Sequence, residues 1–331
     1  RRMEQGMAES SDWEIPAEAQ PKSEDWSFDL ERTLRAVLGV RATIPGDAYT
    51  AGTLGTERAG NGVLIRDDGV VLTIGYLITE AETVWLNTHD GRAVPGHVMA
   101  YDQETGFGLV QALGRLELPA LPLGRSEGAQ RGERVLVAGA GGRQRSLSAR
   151  IAAKQEFAGY WEYLIEEAIF TAPAHPNWGG TAVIGGDGAL IGIGSLHLQQ
   201  GGDDGQKDHL NMIVPIDLLP PMLNDLLTLG RPNHPPRPWL GLYSTEIDER
   251  LVVAGLASDA PAKRAGLKIG DIVVAIGGEE VADLASLYRK LWARGAAGIA
   301  VPLTIFRDGR TLEVEVRSAD RARFLKSPSL H

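Results

Sequence analysis

The side chains best suited to chemistry cluster in the middle of this chain. A loop at residues 174–181 carries His175, Pro176, Asn177, Trp178, Gly179 and Gly180. Two successive glycines after a bulky residue suit a backbone that approaches another molecule or takes a positive φ. Downstream, Ser195 and His197 stand two apart in a strand-like run, a spacing that sets both on one face. A hydroxyl beside an imidazole is what nucleophilic catalysis requires. The plainer alternative is a strand face lining a pocket. His175 is close enough to Trp178 to serve the same cleft, or simply packs within its loop. Asp203, Asp204, Asp208 and His209 form either a set of hard-cation ligands or a solvated loop. His89 and His97 have no motif around them. No metal site and no cofactor are assigned.

The elements that must position these residues read as β-strands. Apolar runs at 169–172, 182–184 and 190–193 flank the loop, the last two as a hairpin turning at 185–188. Upstream, alternating runs at 60–65 and 70–73 meet across the turn Asp67-Asp68-Gly69, and runs at 83–87 and 93–101 meet across His89-Asp90-Gly91-Arg92. Helical patterns are few: residues 29–37, residues 218–229 with Pro220 and Pro221 in the first turn, and residues 282–294. Residues 230–238 hold four prolines in nine positions, a stiff linker and the natural domain boundary.

Composition narrows the function classes. The 331 residues are long enough for two domains, and 43% hydrophobic with 23% charged is ordinary for a globular chain. No apolar stretch reaches the roughly 18 residues of a membrane span. The chain has no cysteine, hence no disulfide or thiolate metal site. Residues 1–31 hold nine acidic residues against three basic ones, and so carry −6 of the −10 net charge. They read as a disordered acidic leader, or as a docking arm on the strength of Trp13 and Trp26. With no basic stripe, nucleic acid is not an expected partner. No signal peptide is visible, which implies a cytoplasmic location if the chain is complete and a periplasmic one if a signal has been removed.

Taken in order, the motifs resemble the HtrA (Do-like) family of trypsin-type serine proteases. The resemblance runs through Gly60-Asn61-Gly62-Val63-Leu64-Ile65, the Asp67-Asp68-Gly69 turn, Asp102-Gln103-Glu104-Thr105-Gly106, Pro119-Ala120-Leu121-Pro122-Leu123-Gly124, Gly132-Glu133-Arg134-Val135, and the 174–194 loop and hairpin. It covers residues 37–198. Residues 237–317 resemble the family's PDZ domain through Pro238-Trp239-Leu240-Gly241-Leu242 and Ala265-Gly266-Leu267-Lys268-Ile269-Gly270-Asp271-Ile272. The resemblance implies a mainly β protein, a trypsin-like double six-stranded β-barrel followed by one PDZ domain, a β-sandwich with two helices. The expected layout is an acidic tail at 1–31, the protease-fold domain at 32–229, a linker at 230–236, the PDZ domain at 237–318 and a C-terminal tail at 319–331.

The same resemblance puts Tyr76, Gly106 and Trp178 where active members carry the histidine base, the orienting aspartate and the serine nucleophile. None of the three can do that work, so the chain reads as a degenerate protease with no catalytic residues and a residual oxyanion loop at Asn177, Gly179 and Gly180. Trp178 then either plugs the cleft or anchors a partner, and the aromatic cluster at 157–166 fills or covers the former substrate cleft. The expected function is a peptide-binding scaffold or a subunit of a larger assembly. An atypical endopeptidase using relocated residues is the alternative. The PDZ domain would take protein or peptide C-termini, with carboxylate-binding amides at Trp239, Leu240 and Gly241, a pairing strand at Leu240–Tyr243 that includes Leu242, and a groove wall of Leu284, Leu287 and Leu291. The alternative for that domain is a packing module.

Overall fold

The structure is a computed structural model, and it describes residues 13–201 and 207–327. It divides into two compact units: Glu156–Glu166 together with His234–Lys326 form one, and nearly all the rest of the described chain forms the other.

The larger unit contains two closed six-stranded barrels. The first is built from β1 (Val37–Thr43), β2 (Glu57–Arg66), β3 (Val70–Ile74), β4 (Thr83–Asn87), β5 (Ala93–Tyr101) and β6 (Phe107–Ala112), in the order β1-β2-β3-β6-β5-β4. The Asp67-Asp68-Gly69 turn closes the β2–β3 hairpin because Gly69 takes a φ of 92°. Strand β3 is buried along its whole length, which explains its unbroken apolar run. The second barrel is built from β7 (Arg134–Ala138), β8 (Ser146–Gly159), β9 (Tyr163–Ala172), β10 (Ala182–Ile184), β11 (Leu190–Gly201) and β12 (Lys207–Pro215), in the order β10-β11-β12-β9-β8-β7. Closure removes the free edges that open sheets must protect. No helix among the described residues is long and apolar enough to cross a membrane.

The described part of the N-terminal segment is not a disordered leader. Ile15 is buried, and its amide bonds the Gln144 carbonyl at 2.9 Å. The Ser148 amide bonds the Ala19 carbonyl at 2.9 Å. Asp25 pairs with Arg134 at 3.1 Å, and Phe28 lies against Gly188. Apolar anchors outweigh the acidic excess here, since burying one large aliphatic side chain contributes about 1.5–3 kcal/mol. Residues 1–12 lie outside the described part.

The smaller unit is one sheet ordered β13 (Leu242–Ile247), β14 (Arg250–Leu256), β15 (Ile272–Ile276), β17 (Ala300–Arg307) and β18 (Arg310–Arg317), with β16 (Glu279–Glu280) paired to β15. Two helices accompany it, Pro261–Arg264 and Leu284–Ala293. The Ala265–Ile272 motif has clear physical causes. Gly266 and Gly270 take φ of 86° and 94°, and buried Asp271 accepts the Lys268 amide while holding Arg307 through both carboxylate oxygens at 2.6 Å. The second helix starts on a capping box between Asp283 and Ser286, and its residues at i, i+3, i+4 and i+7 (Leu284, Leu287, Tyr288, Leu291) face the core.

Candidate functional site

The loop at 174–181 is held in place from inside the larger unit. His175 is fully buried. Its amide donates to Asn211 Oδ1 at 2.6 Å, its Nε2 meets the Arg145 carbonyl at 2.8 Å, and its Nδ1 accepts the Asn177 amide at 3.1 Å. Those partners fix the neutral tautomer with the proton on Nε2. Burial pulls its pKa down to about 4, only partly opposed by the two backbone partners. Trp13 packs edge-on against the ring at 5.6 Å and carries the Arg145 guanidinium on its own face. His175 is therefore a fastener of the loop.

Asn61 does the same from the first barrel. Its amide donates to the Gly179 carbonyl at 2.8 Å, and its Nδ2 donates to the carbonyls of Asn177 and Gly179 at 2.9 and 3.0 Å. Its Oδ1 accepts the Ala140 amide at 2.8 Å. Gly180 takes a φ of 76°, and a Cβ there would come within 1.8 Å of the Asn61 carbonyl, so only glycine fits.

Tyr76, Gly106 and Trp178 come together. The Gly75 amide bonds the Gly106 carbonyl at 2.6 Å, which ties Gly106 to the residue before Tyr76. The Tyr76 hydroxyl donates to the Ser195 carbonyl at 2.9 Å and accepts a hydrogen bond from the Trp178 side chain. Burial pushes the phenol pKa well above its ordinary value, with the Trp178 contact opposing. Arg58 fixes this segment from below, donating to the carbonyls of Tyr76 and Thr79 at 2.8 and 3.0 Å. Glu80 completes the support by accepting from the Tyr49 and Thr50 amides. Asp102 accepts from the Thr105 amide and hydroxyl, shaping the turn that precedes β6.

Trp178 is half-buried, stacked on His197 at 5.1 Å, and His197 in turn stacks on His209. His197 Nε2 faces His209 Nδ1 at 3.1 Å. Ser195 occupies a β-bulge, since the β11–β12 register passes from Gly194↔Ile213 directly to Leu196↔Met212. The bulge breaks the simple alternation on which the Ser195–His197 spacing relied. Within the residual oxyanion loop, the Asn177 amide is bonded to His175 and the Gly180 amide to the Gly194 carbonyl at 2.8 Å. Asp203 and Asp204 lie outside the described residues.

In the smaller unit, Trp239, Leu240, Leu242, Leu287 and Leu291 are all buried, as is Leu284. The carboxylate-binding amides sit one residue later than expected. The Trp239 amide bonds the Ala319 carbonyl at 3.0 Å, so it faces a neighbouring strand segment rather than a ligand. The amides of Leu240, Gly241 and Leu242 instead converge on the carboxylate of Glu162, at 3.1, 2.6 and 2.9 Å. Gly241, with a φ of 75°, allows three successive N–H groups to turn toward one point. Sequence reasoning missed Glu162. It sits in the turn between β8 and β9 with a φ of 61°, amid the Phe157, Tyr160, Trp161 and Tyr163 cluster. That cluster packs within the smaller unit: Tyr160 meets Tyr243 at 5.8 Å, and Leu164 joins the core of Leu240, Leu242 and Leu287.

Comparison with known proteins matches residues 60–193 to the trypsin-like peptidase domain and residues 238–317 to the PDZ domain. The chain is 26% identical over 274 residues to a probable periplasmic serine endoprotease DegP-like of Pseudomonas fluorescens, covering 78% of this chain and 56% of that protein. It is 22% identical over 294 residues to the serine protease Do-like HtrA of Lactobacillus helveticus, covering 80% and 70%. Thus the chain spans little more than half the length of the DegP-like relative. Among solved structures, the HtrA-type protease AlgW with decapeptide aligns at TM-score 0.54 and 22% identity, over 91% of this chain and 98% of that one. The serine endoprotease from Yersinia pestis aligns at TM-score 0.51 and 20% identity, over 88% and 96%.

Proposed function

The chain is an HtrA/Do-like family member with a trypsin-like peptidase domain followed by a PDZ domain, and we propose that it binds peptides without cleaving them. The observation that carries this reading is the identity of the side chains that meet at the cleft: Tyr76, Gly106 and Trp178. Acyl transfer needs a nucleophile, a base within hydrogen-bond reach and a carboxylate to orient the base. A phenol whose pKa is driven upward is a poor base at neutral pH, glycine has no carboxylate, and an indole has no nucleophilic atom.

Pro176 adds a second obstacle. In a trypsin-type site the oxyanion is held by the amide of the nucleophile residue and the amide two residues before it. Pro176 stands at that earlier position and has no N–H. The proposed role is recognition of protein or peptide C-termini through the PDZ amides at Leu240, Gly241 and Leu242, as a scaffold or a regulatory subunit of a larger assembly. Treating the wild-type protein and Ser195→Ala with a fluorophosphonate serine-hydrolase probe, alongside casein, tests the catalytic half. Neither protein should label or cleave. Labelling abolished by Ser195→Ala would establish an atypical endopeptidase and end this reading.

A further inference from the structure

Three features of the β8–β9 hairpin imitate a bound peptide. The first is the Glu162 carboxylate, which receives the three convergent amides of Leu240, Gly241 and Leu242 where a chain terminus would place its own carboxylate. The second is a main-chain bond from the Ser244 amide on β13 to the Tyr160 carbonyl at 3.2 Å, the kind of edge contact that strand addition makes. The third is Leu164, which is buried in the apolar cluster of Leu240, Leu242, Leu284, Leu287 and Leu291. Tyr288, on the helix Leu284–Ala293, closes the arrangement by donating to the Gly159 carbonyl at 2.7 Å and accepting the Glu162 amide at 3.2 Å.

We propose that Glu162 is an internal ligand of the PDZ carboxylate loop, so that an external C-terminus binds only by displacing the β8–β9 turn. This inference rests on the peptide-binding half of the function proposed above. It also names the ligand chemistry: a free carboxylate with an apolar, leucine-like side chain beside it, flanked by aromatic residues. Both groups are already present in the internal occupant. Arg289 holds the arms of the same hairpin through Glu156 and Glu166, so the turn is clamped at its base as well as at its tip. A carboxylate carried on the three rotatable bonds of a glutamate side chain lacks the pre-set geometry of a true terminus, which leaves the contact exchangeable.

The test uses the full chain with Glu162→Gln and Glu162→Ala. Hydrogen exchange at the amides of Leu240, Gly241 and Leu242 reads the internal contact directly. Fluorescence polarisation reads competition, with a fluorescein-labelled hexapeptide ending in tyrosine-tyrosine-leucine with a free carboxylate, and with its C-terminally amidated twin. Glu162→Ala is expected to exchange at least tenfold faster at the three amides and to bind the free-acid peptide at least tenfold more tightly than wild type, with no gain for the amide twin, whereas Glu162→Gln, whose Oε1 can still accept from all three amides, is expected to stay protected. Unchanged protection in Glu162→Ala, or equal affinity of wild type and Glu162→Ala for the free acid, would overturn the inference. Lost protection with no peptide bound by any of the proteins would support the internal contact and overturn the peptide-binding reading instead. Near-native circular dichroism of Glu162→Ala separates these outcomes from unfolding.

Discussion

Replacing His175 with phenylalanine should produce a stability defect that depends on pH in a defined direction. The ring is buried against Gly139 and Trp13, so phenylalanine keeps most of the volume and the edge-on contact. What it removes is both ring nitrogens, leaving the Asn177 amide without its acceptor, while the Arg145 carbonyl keeps the Gly139 amide at 3.1 Å. An unpaired buried polar group costs about 1–3 kcal/mol, so the variant should lose about that much at pH 7.5. Acid narrows that gap. The folded histidine has its pKa lowered from 6.5 to about 4, so between those values the unfolded chain binds the proton and the folded one does not. The wild type therefore gives up stability as pH falls through this window, about 2.5 kcal/mol by pH 4.5. Phenylalanine cannot titrate and loses none of it. Urea unfolding followed by tryptophan fluorescence at pH 7.5 and 4.5 measures both gaps, with Trp13 as a local reporter. All other acid-sensitive groups are common to the two proteins and cancel in the comparison. A gap of the same size at both pH values would refute the neutral, buried assignment of His175.

Glu162 should respond to pH in the opposite sense. Its pKa is raised from 4.5 to about 7 chiefly by burial, against the pull of the three amides and Arg321; the Tyr243 and Tyr288 phenols also face it, with Glu246 near Tyr288. Docking of the hairpin is then strongest below pH 4.5 and weakens as pH rises through 7, by at most about 3.4 kcal/mol before allowance for solvent screening. The labelled peptide should accordingly bind wild type on the order of tenfold more tightly at pH 8 than at pH 5.5, and Glu162→Gln should show no such dependence; a flat wild-type profile would count against it. Rebuilding the cleft offers a separate check on Pro176. Tyr76→His, Gly106→Asp and Trp178→Ser together should leave kcat/KM about 10²–10³ below the same variant carrying Pro176→Gly as well, the loss associated with one oxyanion donor. Equal ester hydrolysis by the two would show that the proline is not an obstacle.

Much of the fold was legible because strand alternation and turn chemistry are local. Asp67-Asp68-Gly69 announces a hairpin by itself, and the Gly266, Gly270 and Asp271 motif needs only its own backbone angles and one arginine. The parts that were not legible depend on partners far along the chain. The acidic excess of residues 13–31 hides the apolar anchors Trp13, Ile15, Trp26, Phe28 and Leu30, whose partners lie more than a hundred residues away or in the first barrel. The carboxylate loop was misplaced by one residue because the Trp239 amide is claimed by Ala319. Glu162 gave no signal because its meaning lies in amides 78–80 positions downstream.

The two candidate sites differ in how their backbone donors are withheld from a ligand. In the cleft loop, one of the two oxyanion donors is missing from the covalent structure at Pro176, and the loop's flanking amides of Asn177 and Gly180 are bonded to buried His175 and to the Gly194 carbonyl. Remaking the missing donor takes a change of residue, and moving the loop means breaking the barrel's own packing around a buried imidazole that resists protonation. In the PDZ loop the three donors are intact and converge on a single carboxylate carried by a turn. Only a like carboxylate need enter for that one to leave, and the hydrogen bonds formed equal those lost. Competition at that loop is therefore close to balanced in hydrogen bonding. What decides it is the apolar contact beside the carboxylate, where an incoming side chain must replace Leu164 among Leu240, Leu242 and Leu287. Truncating Leu164 should consequently favour external peptide as much as removing the Glu162 side chain does, and a binding site for apolar C-termini follows from that exchange more directly than from charge.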